Sequence, residues 1–106
     1  MKKNIATIII MFSILLKPIY SQSGIHLKEA ISAMEAGLFK EALKQLDIAR
    51  VKEPNNAEVY KLKALLYEAI NENNNAISAW SNCIKNTKDK NLIREAKIHL
   101  AHLKGY

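Results

Sequence analysis

From Ile25 onward, apolar residues return every three or four positions, the spacing that lines them along one side of an α-helix. The pattern breaks at Gly37, at Glu53-Pro54, at Asn71 and over Asn86 to Lys90. Helices are therefore predicted over about Ile25 to Ala36, Lys40 to Lys52, Ala57 to Ile70, Asn75 to Asn86 and Lys90 to Lys104. The fold class predicted is all-α.

Each break has its own chemistry. Gly37 adopts the left-handed conformation that ends a helix at little cost, and Asn71 tolerates it better than most residues. Pro54 has no amide to give to a preceding turn and pushes Glu53 out of the helical region. Asn56 then stands where a side-chain oxygen can accept an unpaired amide of the next helix, with Glu58 near the positive end of its dipole. Thr87 or Asp89 can cap the last helix in the same way.

Sliding the chain by 34 residues superimposes its small and large apolar positions. Ala30 falls on Ala64, Ala42 on Ala76, Leu43 on Ile77, Leu46 on Trp80 and Ala49 on Cys83. Antiparallel helices approach closely where one offers a small side chain to the other's bulk, so the alanines are the expected contact points. Leu46, Tyr67 and Trp80 are expected to fill the space between successive pairs. A period of 34 in paired helices is that of stacked helix–turn–helix repeats.

The second unit, Tyr60-x-x-Lys63-Ala64-x-x-Tyr67 followed by Ala76-x-x-x-Trp80, resembles the tetratricopeptide repeat family. The first unit keeps Gly37, Ala42-x-x-x-Leu46, Ala49 and the terminating Pro54. Lys63 departs from the family's usual leucine, His26 and Ala33 replace the aromatics expected in the first unit, and Lys88 replaces a second terminating proline. The resemblance implies a tetratricopeptide-like α-solenoid of two antiparallel helix pairs, repeat one over 23–56 and repeat two over 57–90, with a capping helix over 91–104. A cap is needed because repeats bury their apolar faces only against neighbours. Leu92, Ala96, Ile98, Leu100, Ala101 and Leu103 are its expected apolar surface, and Arg94, Glu95, Lys97 and Lys104 its charged one.

The 106 residues make one domain at most, and the first part reads as an address. Lys2 and Lys3 precede an uncharged apolar run from Ile5 to Leu16, and Ser21-Gln22-Ser23 offers small residues for cleavage after 21 or 23. That is the layout of a secretory signal peptide over residues 1–21, with the domain over 22–106 and an exported, periplasmic or secreted product. A retained anchor is the competing reading. Spanning a bilayer takes about 20 apolar residues, however, and Lys17 and Pro18 interrupt this run.

Charge changes with the address. Three of the sixteen cations, Lys2, Lys3 and Lys17, lie in the leader, leaving thirteen against ten carboxylates and a net +3 rather than +6. These cations are scattered along the helices, without the clustering that a nucleic-acid footprint requires. Cys83, the sole cysteine, excludes an internal disulfide and is expected as a small buried hydrophobe in the slot of Ala49. No serine or threonine has an evident histidine–carboxylate partner, and no glycine-rich phosphate loop occurs. The chain is expected to be no enzyme and to need no cofactor.

The family resemblance implies a concave groove lined by the first helix of each pair, where such proteins take peptide segments. The 34-residue period lays out three rows there: Leu27, Lys61 and Glu95; Ile31, Leu65 and His99; Met34, Glu68 and His102. The groove grades from apolar to charged. The expected ligand is an apolar or amphipathic segment of another protein, with membrane contact only through the export signal. Ile31 stands where an asparagine would help hold a terminal carboxylate, so that ligand is not expected in the groove. Two alternatives remain. One is self-association, since a domain of some 85 residues buries only about 60% of its unfolded surface. The other is a metal- or pH-responsive site at Glu95, His99 and His102, with Glu68 opposite.

Overall fold

A computed structural model of the chain describes residues 22–105. The leader expected over residues 1–21 lies outside them. Among the described residues are five helices and no strand: α1 Gln22–Glu35, α2 Phe39–Lys52, α3 Ala57–Ala69, α4 Asn73–Lys85 and α5 Lys90–Lys104. None is long and apolar enough to cross a membrane.

The joint between α2 and α3 is tied on both sides of Pro54. Glu53 leaves the helix at φ −136°, its amide donating back to the Ala49 carbonyl at 2.8 Å. The Asn56 side chain accepts from the Glu58 amide at 3.0 Å and donates to Glu53 Oε2 at 2.9 Å. A cap of this kind stabilises a helix by about 1 kcal/mol. The Tyr60 hydroxyl reaches back to donate to the Pro54 carbonyl at 2.6 Å. At the other joint Asp89 is the cap, accepting from the Asn91 amide at 2.9 Å, and the Thr87 hydroxyl supports it by accepting from the Asp89 amide at 3.1 Å.

The two three-residue turns match bond for bond across the 34-residue period. Gly37 donates to Met34 at 3.0 Å, and Asn71 to Glu68 at 3.1 Å; Leu38 donates to Ala33, and Glu72 to Tyr67, each at 2.8 Å. Accordingly α4 starts at Asn73, two residues before the predicted Asn75, as α2 starts at Phe39. The asparagine run there reads as loop, but the turn's own bonds shorten it.

Such short turns force α1 against α2 and α3 against α4 as antiparallel pairs, while α5 packs on α4. The four alanines expected as contact points, Ala30, Ala42, Ala64 and Ala76, are all fully buried, and so are Leu46, Trp80, Ala49 and Cys83. One core joins Ala30, Ala33, Ala42 and Leu46 to Leu62 and Leu66 of α3. The other joins Ala64, Ala79, Trp80 and Cys83 to Ala96 of α5, with Leu92, Leu100 and Leu103 packed around it. Ile98 does not belong to this apolar face: it is 64% exposed. At 3.6 residues per turn it lies opposite Leu92, Ala96, Leu100 and Leu103.

Candidate functional site

The predicted rows run along α1, α3 and α5. In the first row Lys61 Nζ lies 3.4 Å from Glu95 Oε2, so residues 34 apart in sequence meet across two helices. Leu27 is half-buried against the first core. In the second row Ile31 is exposed, Leu65 packs on the second core, and His99 is half-buried. In the third, Met34 packs on the first core, Glu68 is half-buried, and His102 is exposed. Glu68, Asn71, Asn73, His102 and Leu103 line a hollow of about 270 Å³ at that end. Of the apolar members Leu27, Ile31 and Met34, Ile31 is the one that faces solvent.

Glu68 turns diagonally, to His99 instead of His102. Trp80 Nε1–H donates to Glu68 Oε2 at 2.7 Å, and His99 Nδ1 lies 2.9 Å from the same oxygen and 3.1 Å from Oε1. An ionised carboxylate only accepts, so His99 carries its proton on Nδ1 in this arrangement. The His99 ring stacks on Trp80 with centroids 4.5 Å apart and planes 27° from parallel. One carboxylate thus links α3, α4 and α5. Trp80 fills space by its place in the repeat, but a buried indole N–H also needs an acceptor, and that requirement is a signal present in the sequence.

These bonds engage two of the residues named for the metal alternative. Glu95 is held by Lys61 and His99 by Glu68, and His102 is exposed, lining the same hollow as Glu68. Among the described residues no three His, Cys, Asp or Glu side chains converge as ligands. Cys83 is fully buried, and its thiol pKa is pushed up to about 11, first by burial and then by the Glu58 carboxylate, against the opposing charge of Lys61.

Two other surfaces were not foreseen. Lys63, where a leucine was expected, places Nζ 2.9 Å from Asp47 of α2 and 6.0 Å above the centre of the Tyr67 ring. It sits in a polar cleft of about 280 Å³ between α2 and α4, across the back of α3. Along α2 itself runs a larger, mostly apolar hollow of about 640 Å³, with Leu43, Ile48 and Val51 flanked by Lys40, Lys44, Asp47 and Lys52. His26, at the first unit's missing aromatic, instead donates from Nδ1 to Gln45 Oε1 at 2.7 Å, tying α1 to α2.

No protein-family model matches the chain, and no curated protein matches its sequence.

Proposed function

We propose that this chain is a small tetratricopeptide-like solenoid, non-enzymatic, that holds an apolar or amphipathic segment of another protein along α1, α3 and α5. The observation that carries this reading is the Lys61–Glu95 pair at 3.4 Å. A contact between residues one period apart supports side-by-side first helices with aligned faces, which is how stacked repeats form a continuous groove. Ile31 supplies the exposed apolar anchor, and Leu27, Met34 and Leu65 supply half-buried flanks. Lys61, Glu68, His99 and His102 provide the polar end. The leader features at Lys2, Lys3 and Ile5 to Leu16 support export, so the partner is sought in the cell envelope or outside it.

Peptide display against the immobilised chain tests this reading. Selected sequences should carry apolar residues at helical or alternating spacing, and their amide-shift changes should map to Ile31, Leu65 and His99. Selection of sequences without apolar anchors, or shifts confined to the outer face of α5, would refute it.

A second reading, self-association, is favoured by the α2 surface, where Val51 is 72% exposed beside Ile48 and Leu43. Sedimentation equilibrium should then show a dimer that Val51→Glu dissociates. A concentration-independent monomer removes it.

A further inference from the structure

We propose that the cleft across the back of α3 is a second binding site, for an acidic side chain on an extended peptide. It goes beyond the groove reading because it occupies another face. On α3, Tyr60, Lys63 and Tyr67 form one stripe and Lys61, Leu65 and Glu68 another, about 130° apart at 100° per residue. The packed faces of α3, Ala64 toward α4 and Leu62 and Leu66 toward the first pair, lie between them.

The cleft is built from two facing stripes of the same spacing. Tyr60, Lys63 and Tyr67 recur at three and four residues on α3, and Asn75, Ser78 and Asn82 do so on α4. Each stripe extends about 10 Å, the reach of about three residues of extended chain. Arg50 from α2 enters the same cleft.

Existing bonds fix the walls and leave particular groups for a ligand. The Tyr60 ring is held by its hydroxyl's bond to Pro54, and Asn75 Nδ2 by Glu72 Oε2 at 2.7 Å. Lys63 is neutralised by Asp47 at 2.9 Å. Arg50 is exposed and forms no ion pair among the described residues. One cation is therefore uncompensated, beside the Ser78 hydroxyl and the Asn82 amide. A planar guanidinium with neutral donors matches a single carboxylate, which it can hold through two parallel bonds. Asp47 and Glu72, bonded to the lining residues Lys63 and Asn75, oppose a second negative charge, which disfavours a polyanion such as nucleic acid. The Tyr67 ring offers a flat apolar flank to the methylenes of a glutamate.

The test is an amide-shift titration of the full chain with three capped tripeptides. Acetyl-Ala-Glu-Ala-amide carries a side-chain carboxylate, acetyl-Ala-Ala-Ala a terminal one, and acetyl-Ala-Gln-Ala-amide none. The glutamate peptide should shift Tyr67, Ser78 and Asn82 saturably, the glutamine peptide should not, and Arg50→Gln should weaken binding about tenfold to a hundredfold, as loss of a charged hydrogen bond does. Arg50→Lys should retain part of the affinity. Arg50 is exposed on a helix, and unchanged helical circular dichroism checks that its variants fold. Tighter binding of the free-terminus peptide would overturn the side-chain assignment. Equal binding of the glutamine peptide, indifference to Arg50→Gln, or the same shifts from a single-stranded oligonucleotide would overturn the proposal.

Discussion

Asn71 stands at φ +60° where Gly37, one period earlier, stands at φ +77°. Both are the middle residue of the same three-residue turn that follows a first helix. A side chain in that region is strained, less for asparagine than for most residues. Asn71→Gly should therefore raise stability by about 0.5–1 kcal/mol, and Gly37→Ala should lower it by about 1 kcal/mol. Nothing lies within 4 Å of the added Cβ at Gly37, so the loss reports backbone strain alone. In a domain this size the shifts amount to about 4–8 °C per kcal/mol in thermal melts.

The carboxylate of Glu68 ties three helices together, and Trp80 reports on it. Removing it leaves a buried indole N–H without an acceptor, which costs about 1–3 kcal/mol. Glu68→Ala should destabilise by that amount and change Trp80 emission. His99→Ala should change the emission through loss of the stacked ring, with a smaller loss of stability. Denaturant unfolding followed by tryptophan fluorescence checks both. Glu68→Ala at wild-type stability would count against the tie.

The Cys83 thiol titrates near 11 in the folded chain, above its ordinary 9.0. A raised folded value means that its contribution to stability is complete below about pH 9 and is lost as pH rises toward 11. Folded chain at pH 8 should therefore react with a thiol reagent far more slowly than unfolded chain. Replacing Cys83 with alanine should flatten the stability-against-pH curve between those limits. Fast labelling of folded protein would contradict the burial.

Within each helix pair, fully buried alanines mark the positions of close approach. Ala42→Leu or Ala76→Leu should each cost about 1–3 kcal/mol by overpacking, although leucine is a good helix former. Chemical denaturation measures it. A neutral result at either position would mean that the pair is not closely packed there.

Much of this was legible in the sequence, and the reasons differ by feature. Periodicity located the helices because burial selects apolar residues, and the 34-residue shift located all four alanine contacts. Asn56 and Gly37 were readable because capping is local chemistry. Ile98 was misassigned because counting apolar residues on α5 ignores which side of the helix they occupy. The Glu68–His99 bond and the Lys63–Asp47 pair, whose partners stand 31 and 16 positions apart, depend on how helices are rotated against each other. No period specifies that. The polar cleft went unseen because Asn75, Ser78 and Asn82 look individually like solvated residues; opposed to Tyr60 and Tyr67 they form a wall.

The proposed groove depends most on the face of α1 and α3 around Ile31. The direct measurement is the affinity of a display-selected apolar peptide for Ile31→Glu, with Ile98→Glu on the outer face of α5 as control and far-UV circular dichroism confirming the fold of both. We predict at least a tenfold loss for Ile31→Glu and none for Ile98→Glu. Unchanged binding to Ile31→Glu, or a loss confined to Ile98→Glu, would contradict the groove.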